Sequence, residues 1–420
     1  MYSLRKIAGW LGKGCSQHLP ISAFAIDSRE VERGGIFFAL KGEKVDGHDF
    51  LGEAVARGAF AAVVSNEYSG PDFGIILFYV EDVVAALQEV ARRALLERRT
   101  KVIGITGSLG KTTTKEFIYE MLARTFRVHK SVGSRNSQRT LPLAILSAKG
   151  DEEFLILEMS MTEKGHIRKL VQMAPPEIVV LTPIVLCHAG FFPNLEAIAE
   201  AKGEVFTNKA EFAVIHEKAA RFHSVIEGCT CDHVIYPAEL HFPSPFVESH
   251  LTENVSAAVE VGKYLGLTSE EMAISARRMR PFEHRFETKK FRGITVIDDS
   301  YNANATSSIA ALINLPKPEM GRKTIVVFGA MCDMGKYSFA VHSEVAKEAL
   351  IRADMLYCIG EEAKLMVEVF EKNQKAARFF TCYEELKRAL REVAKEGDVV
   401  LVKGSNYHKL WTVINDFALA

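Results

Sequence analysis

A short glycine-rich segment has the composition of a phosphate-binding loop. Residues 106–113 have the sequence TGSLGKTT, directly after the apolar run 102–106 and before a predicted helix over residues 115–124. Glycines let the backbone approach an anion closely, and the N–H groups at the start of the helix then face its charge. Lys111 can reach the outer phosphates of a nucleotide, and the Thr112 hydroxyl can bind Mg²⁺. The alternative is an ordinary glycine turn, since Ile105 stands where the usual motif has its first glycine.

Three residues further along the chain have side chains that suit a metal or phosphate site. Glu158 ends the apolar run 154–157, His188 follows the run 178–181 by a short loop, and Lys202 lies near a predicted helix start. An acid at a strand end is the usual Mg²⁺ partner of a phosphate loop, and imidazole can bind a second ion or a phosphate oxygen. Taken singly, each could instead be a structural or surface residue.

The elements that must position these residues alternate along the chain. Apolar runs of strand length are separated by segments of helical periodicity, which favours parallel sheets covered by helices. The pattern of apolar runs, turns and helical segments changes near Tyr79 and near Pro281, which divides the chain into three regions. We therefore predict an α/β protein with a small N-terminal α/β substrate domain (1–80), a central P-loop ATPase domain with a parallel sheet (81–281) and a C-terminal Rossmann-like domain (282–420).

The composition excludes several other classes of protein. The 420 residues are 48% hydrophobic and 25% charged, with a formal net charge of −1, so no basic excess points to nucleic acid. No apolar run approaches the roughly 20 residues of a membrane helix, and the N-terminus lacks a signal-peptide pattern. Seven scattered cysteines indicate reduced thiols rather than a disulfide framework. A cytoplasmic location is expected.

Together, the order of these motifs resembles the Mur ligase family over nearly the whole chain. Residues 26–29, 34–42 and 46–50 resemble its UDP-substrate domain, and Lys202 follows His188 by fourteen positions, as the carbamylated lysine of the family does. The resemblance implies UDP-substrate contacts at Asp27, Ser28, Arg29, Lys41, Gly42, Asp46, Gly47, His48 and Asn136. It implies metal ligands at Thr112, Glu158, His188 and Lys202 as a carbamate, and a catalytic set of Lys111, Glu158, His188 and Lys202.

The last third of the chain resembles one branch of that family. Residues 298–304 (DDSYNAN), 328–335 and 403–405 are similar to strings of the branch that adds D-alanyl-D-alanine to UDP-N-acetylmuramoyl-tripeptide. The resemblance implies an ATP-dependent amide ligase of peptidoglycan precursor synthesis that forms an acyl phosphate. It also implies two Mg²⁺ ions and a monomeric enzyme. Implied ATP contacts are Thr106, Gly107, Ser108, Gly110, Lys111, Thr112, Thr113, His250, Asn254, Arg285, Asp299, Tyr301, Asn302 and Asn304.

One loop departs from the family pattern. Where the family has NxNNxxGxP, residues 134–142 have the sequence SRNSQRTLP, which keeps only Asn136 and Pro142. The alternatives are a related ligase that adds a single amino acid, a folylpolyglutamate synthase, a non-catalytic nucleotide-binding relative, or a simple P-loop kinase. A kinase would explain Lys111 but not His188, Lys202 or the third region.

Overall fold

The structure, a computed structural model, describes residues 2–187 and 190–419, with side chains through residue 415. Three successive α/β units are present, each built on a mainly parallel sheet, so the predicted fold class is confirmed. No helix among the described residues combines the length and the apolar composition needed to cross a bilayer.

The first unit has a four-stranded parallel sheet in the order β3-β4-β5-β6 and a two-stranded antiparallel ribbon, β1-β2. Its helices and strands are β1 (Tyr2–Ser3), α1 (Leu4–Trp10), β2 (Pro20–Ile21), β3 (Phe24–Ala25), β4 (Ile36–Phe38), α2 (Leu51–Ala56), β5 (Ala61–Ser65) and β6 (Ile76–Val80).

The central unit has a six-stranded parallel sheet in the order β12-β11-β10-β7-β9-β8. Strands β9 and β10 are buried along their whole length, because helices cover both faces of the sheet. The elements are α3 (Val83–Leu96), β7 (Lys101–Thr106), α4 (Lys111–Leu122), β8 (Val128–Lys130), α5 (Leu141–Leu146), β9 (Phe154–Glu158), α6 (His166–Met173), β10 (Ile178–Leu181), α7 (Leu195–Gly203), β11 (Phe212–His216), α8 (Glu217–Ala220), α9 (His223–Gly228), β12 (Asp232–Tyr236), α10 (Ser249–Tyr264) and α11 (Ser269–Ala276).

The third unit has a six-stranded sheet in the order β13-β14-β18-β15-β16-β17, in which only the edge strand β13 runs antiparallel to its neighbour among the described strands. The elements are β13 (Glu287–Phe291), β14 (Ile294–Asp299), α12 (Ala305–Ile313), β15 (Thr324–Gly329), α13 (Ser338–Arg352), β16 (Met355–Ile359), α14 (Lys364–Lys372), β17 (Ala376–Phe380), α15 (Tyr383–Val393), β18 (Val399–Lys403) and α16 (Trp411–Leu419).

Helix α3 joins the first unit to the central one. The Asp82 carboxylate accepts hydrogen bonds from the N–H groups of Val84 and Ala85, at 2.8 and 3.0 Å, and so caps the helix start. Apolar residues at helical spacing, among them Leu87 and Val90, are fully buried in a core shared with both units. This shared core fixes the first unit against the sheet that carries the phosphate loop.

Two local predictions need correction. The helix after the phosphate loop was expected from Lys115, but α4 begins at Lys111, because Gly110 adopts a left-handed conformation and starts the helix there. Lys202 was placed near the start of a helix, but it lies in the last turn of α7. Both shifts bring a lysine side chain toward the carboxyl edge of the central sheet, where the ends of β7, β9 and β10 meet.

Candidate active site

The phosphate loop connects β7 to α4, and its glycines are sterically required. Gly107 has φ of 140°, and a Cβ there would lie 1.9 Å from the Thr182 Oγ1. Gly110 has φ of +74°, and its Cβ would lie 2.6 Å from the Asn254 Oδ1. The loop backbone is therefore pressed against β10 and α10, a path that only glycine can follow.

The lysine and threonine of the loop face its interior. The Lys111 Nζ donates to the Gly107 carbonyl at 2.9 Å, so the ammonium lies over the loop. The Thr112 hydroxyl donates to the Glu158 Oε2 at 2.7 Å, and both side chains are almost fully buried. A hydroxyl and a carboxylate oxygen in contact at the carboxyl edge of a sheet are the hard oxygen donors that Mg²⁺ prefers, so these two residues fit the ion.

Asn136 contacts the same glutamate. We assigned Asn136 to the UDP substrate from the family resemblance, and the structure places its amide 2.7 Å from the Glu158 Oε1, to which it donates. The two oxygens of Glu158 are thus held from two sides, by Thr112 and by Asn136. No sequence pattern predicts this contact, although Asn136 keeps the residue type of the family in a loop that is otherwise altered.

Lys202 lies below the loop and is 1% exposed. Its Nζ donates to the Gly107 carbonyl at 2.7 Å. Burial, which penalises the charged form, lowers the pKa of this amine from 10.5 to about 7, and the neighbouring Lys111 adds to the shift. Lys202 is therefore a buried amine with a large neutral fraction near neutral pH. The predicted metal ligand His188 lies outside the described residues.

The third unit closes over the loop through Arg285. Its Nη2 donates to the Thr112 Oγ1 at 2.9 Å, and its guanidinium lies 4.1 Å from the centre of the Tyr301 ring. The Tyr301 hydroxyl is in turn hydrogen-bonded to the Ser134 hydroxyl of the central unit. A cation from one unit is thereby fixed beside the threonine of the other.

Asp299 supports this closed arrangement from β14. Its Oδ2 accepts from the Lys403 Nζ at 2.6 Å, and its Oδ1 accepts from the Phe286 N–H at 3.2 Å. Lys403 also donates to the Asn302 carbonyl at 3.0 Å. Lys403 was noticed only as part of a motif string, and sequence reasoning did not place it among the site residues. The remaining predicted residue of this segment, Asn304, caps α12 by accepting from the Ser307 N–H.

A cavity of about 450 Å³ lies between the central and third units. Its phosphate end is formed by the loop, Glu158 and Arg285, and its far end by α10. On α10 the His250 Nδ1 is buried without a hydrogen-bond partner among the described residues, and burial lowers the pKa of that ring. The predicted ATP residues that line the cavity are Ser108, Gly110, Lys111, Thr112, Thr113, His250, Asn254, Arg285, Asp299, Tyr301, Asn302 and Asn304. The other two predicted ATP residues, Thr106 and Gly107, precede Ser108 in the loop and do not line the cavity.

The predicted UDP-substrate residues of the first unit are largely engaged with one another. Asp27 caps a short 3₁₀ helix and pairs with Arg29, and this hydrogen-bonded contact lowers the pKa of the Asp27 carboxyl to about 2. The Ser28 hydroxyl donates to the Glu53 carboxylate at 2.8 Å. Arg29 also lines a second cavity, of about 800 Å³, between the first and central units.

The second group of UDP-substrate residues forms a tight turn. Lys41 and Asp46 form an antiparallel bridge around Gly42, and the His48 Nδ1 lies 2.6 Å from the Asp46 Oδ1. Because the His48 Nε2 accepts from the Ser65 N–H at 3.0 Å, the ring proton lies on Nδ1 and is donated to Asp46. A Cβ on Gly47 would lie 2.7 Å from the Leu40 carbonyl oxygen. These contacts build the turn, and a substrate role for its residues stays a prediction.

Family models match most of the chain. The Mur ligase family catalytic-domain model matches residues 20–95, the middle-domain model residues 105–261 and the glutamate ligase domain model residues 284–406. The UDP-N-acetylmuramoyl-tripeptide–D-alanyl-D-alanine ligase of Bacillus subtilis is 30% identical and aligns with 98% of this chain and 96% of its own length. The chain belongs to the Mur ligase family.

Solved structures extend this comparison. The MurF ligase from Thermotoga maritima, crystallised with ADP, shares 29% sequence identity with this Mur ligase. The two superpose with a TM-score of 0.78, and the alignment covers 94% of this chain and 96% of the Thermotoga chain. MurF from Acinetobacter baumannii superposes with a TM-score of 0.84 over 100% of this chain and 99% of its own. Its 22% identity shows the common fold alone. The resemblance to the MurF branch is confirmed, and a simple P-loop kinase is excluded.

Proposed function

We propose that this Mur ligase joins D-alanyl-D-alanine to UDP-N-acetylmuramoyl-tripeptide at the expense of ATP, in peptidoglycan precursor synthesis. The observation that carries the proposal is the meeting of Thr112, Glu158 and Arg285 above the phosphate loop. This contact puts a phosphate cradle, a pair of Mg²⁺ ligands and a cation from the third unit at one point. The similarity to MurF relatives over almost the whole chain supports the choice of substrates.

The loop and its lysine hold the phosphates of ATP in this mechanism. Backbone N–H groups at the start of α4 face the β- and γ-phosphates, and Lys111 moves from the Gly107 carbonyl onto them. Arg285 neutralises the charge that develops on the transferred phosphoryl group, and its stacking on Tyr301 fixes the direction of the guanidinium. The chain thus supplies position and charge rather than acid–base groups.

Thr112 and Glu158 would hold one Mg²⁺, with Asn136 fixing the orientation of the glutamate. The ion supplies charge neutralisation on the phosphates when it is bound. The expected second ion would be held by His188 and by Lys202 as a carbamate. These assignments rest on the family resemblance together with the chemistry of the side chains.

The reaction proceeds in two steps. A carboxylate oxygen of the tripeptide attacks the γ-phosphorus, the bond from that phosphorus to the β–γ bridging oxygen breaks, and ADP leaves. The amine of D-alanyl-D-alanine then attacks the acyl carbon, the bond to the phosphate oxygen breaks, and the amine loses a proton. Contact between Tyr301 and Ser134 keeps the two units closed and excludes water from the acyl phosphate.

We propose that Lys202 carries a carbamate. A neutral amine attacks CO₂, forms an N–C bond and loses one proton, so a lysine with a pKa of about 7 is suited to the reaction. The product is an anionic oxygen ligand, whereas an ammonium would repel a cation. Incubation with ¹³C-bicarbonate should give one carbamate resonance in the ¹³C spectrum that the Lys202→Met variant lacks. A spectrum without such a resonance would remove the carbamate from the proposal.

The cavity between the first and central units is the proposed site of the UDP part of the substrate. Arg29 and Arg135 line it, and both can pair with a diphosphate.

Because the reaction consumes ATP, we place the enzyme in the cytoplasm, and we expect a monomer with no nucleic-acid partner. Gel filtration with light scattering would give the mass to compare with 46.7 kDa.

Phosphate release tests the proposed function. The full chain is mixed with ATP, Mg²⁺ and UDP-N-acetylmuramoyl-tripeptide, with and without D-alanyl-D-alanine. Release that depends on the dipeptide, together with a UDP-pentapeptide in the mass spectrum, is the expected result, and Glu158→Gln should abolish both. ATP binding without dipeptide-dependent release would favour a non-catalytic relative. Release with a single amino acid instead would favour another ligase of the family.

A further inference from the structure

The end of the cavity opposite the phosphate loop carries an oriented carboxylate. Glu253 lies on α10, lines the cavity and is partly buried. Its Oε2 lies 3.3 Å from the Nε2 of His216, a residue that is fully buried at the end of β11. The described residues make no hydrogen bond to its other oxygen, Oε1. One oxygen of Glu253 is therefore fixed, and the other is left to accept from a ligand.

The protonation of His216 follows from its neighbours. Its Nδ1 accepts from the Lys218 N–H at 3.0 Å, so the ring proton of the neutral form lies on Nε2 and is donated to Glu253. This hydrogen bond holds the pKa of the Glu253 carboxyl below its usual range. The Tyr236 ring packs edge-to-face against the imidazole at 4.9 Å and limits its rotation. His216 thus keeps the carboxylate ionised and pointed in one direction.

The distance from the phosphate loop identifies what this carboxylate can contact. In the central sheet β11 lies two strands from β7, with β10 between them, so their ends are about 10 Å apart. A nucleotide whose phosphates lie at the start of α4 reaches this far with its nucleoside, not with its phosphates. His250, whose Nδ1 has no partner among the described residues, lies on the same face of α10 one turn earlier.

We propose that Glu253, positioned by His216, selects the nucleoside of ATP by accepting a hydrogen bond from it. The donor is either the 6-amino group of adenine or a ribose hydroxyl, since each presents a proton to a carboxylate. If the donor is the 6-amino group, a 6-oxo purine would place an oxygen against the carboxylate and be rejected, whereas a ribose donor would make the deoxy analogues the weaker ligands. The inference rests on the proposed use of ATP, and it gives Glu253 and His216 roles that the family resemblance did not assign.

Nucleotide binding tests this inference without requiring ligase activity. Dissociation constants are measured by calorimetry, with Mg²⁺, for ADP, IDP, 2′-deoxy-ADP and 3′-deoxy-ADP. The wild-type chain should bind ADP at least about tenfold more tightly than one of the analogues, and that analogue identifies the donor. Glu253→Ala should weaken ADP binding by about the same factor and leave the disfavoured analogue unchanged. Glu260→Ala is the matched control, because Glu260 lies on the same helix, is paired with Lys263 and does not line the cavity.

His216 is tested by a pair of variants. His216→Gln retains an N–H donor and should keep most of the preference for ADP, whereas His216→Leu should lose it. Thermal melting identifies any variant that fails to fold. If the His216 variants fail to fold, Glu253→Ala decides alone, because the Glu253 side chain is partly exposed.

A preference for ADP in Glu253→Ala equal to that of the wild type, or no preference in the wild type, would overturn the inference. Absence of all nucleotide binding would overturn the proposed function as well, and normal nucleotide preference without ligase activity would overturn the proposed function alone.

Discussion

At the scale of single residues, the orientation of the Glu158 carboxylate depends on a small number of hydrogen bonds. Two donors, Thr112 and Asn136, occupy its two oxygens, and Arg285 contacts the same threonine. A carboxylate held in this way keeps its direction when a cation binds, so less reorganisation accompanies the reaction. Asn136 lies in the loop that departs from the family pattern, which makes it the most informative residue of that loop.

Replacing Asn136 by alanine should therefore impair the metal-dependent step. We expect kcat to fall about 10- to 100-fold and the Mg²⁺ concentration needed for half-maximal rate to rise, since the glutamate loses a supporting hydrogen bond. Steady-state rates across a magnesium titration measure both effects. Ser137→Ala is the control, because the Ser137 hydroxyl contacts Thr140 of the same loop and not the glutamate. Equal behaviour of the two variants would contradict a positioning role for Asn136.

The buried amine of Lys202 predicts a dependence of stability on pH. Its pKa is about 7 in the folded chain against 10.5 for the free side chain. Between these values the unfolded chain binds a proton that the folded chain does not, so stability rises with pH by up to about 1.4 kcal/mol per unit. Below pH 7 the amine is protonated in both states, and the full cost of burying the charge remains.

Lys202→Met should remove this slope. We expect the variant to melt at a higher temperature than the wild type near pH 7, with the difference shrinking toward pH 10, in buffers freed of CO₂. Scanning calorimetry across this range measures it, and the exposed Lys169→Met serves as control. A wild-type chain and variant with parallel pH profiles would show that Lys202 is not buried as an amine.

At the scale of elements, the junction between β7 and α4 depends on close backbone packing. Gly107→Ala would place a Cβ 1.9 Å from the Thr182 Oγ1 and 2.8 Å from the Thr182 carbonyl oxygen, so the loop must move away from β10. We expect nucleotide binding to be lost and the melting temperature to fall. Fluorescence titration with a labelled ATP analogue and thermal melting measure these effects. Gly9→Ala is the control, since a Cβ there meets nothing within 4 Å.

At the scale of the whole molecule, the proposed mechanism requires the third unit to close on the central one. Arg285 is the contact that joins the two at the phosphate loop, and its stack on Tyr301 needs a planar guanidinium. Arg285→Lys keeps the charge but loses this geometry, so we expect kcat to fall at least about tenfold, and Arg285→Ala to lose about a thousandfold.

Small-angle X-ray scattering distinguishes an effect of Arg285 on the closure of the two units from an effect of its charge on the reaction. With a non-hydrolysable ATP analogue and Mg²⁺, Arg285→Ala should have a larger radius of gyration than the wild type, because a contact across the units is gone. Arg278→Ala is the control, since Arg278 precedes the same junction but pairs with Glu120 on the surface. If the radius is unchanged while kcat falls, Arg285 acts through its charge and not through closure.

The local features of the chain could be predicted from its sequence. The phosphate loop, the apolar runs of β9 and β10 and the alternation of strands with helices depend on neighbouring residues, which a sequence displays directly. The family of the chain followed from the order of these motifs. A helix start set by the left-handed Gly110 was misplaced by four residues, because the conformation of one glycine cannot be obtained from periodicity.

The contacts between side chains that are distant in sequence could not be predicted and become visible in the folded chain. Asn136 reaches Glu158 across 22 residues of sequence, Lys202 reaches Gly107 across 95, and Arg285 reaches Thr112 across 173. None of these contacts has a periodic pattern, since each depends on the order of strands in a sheet or on how two units pack. For the same reason the contact between His216 and Glu253 could not be predicted, since it requires β11 to lie beside α10. Spacing along the chain encodes turns and faces, whereas the distance between parallel strand ends exists only after the sheet has formed.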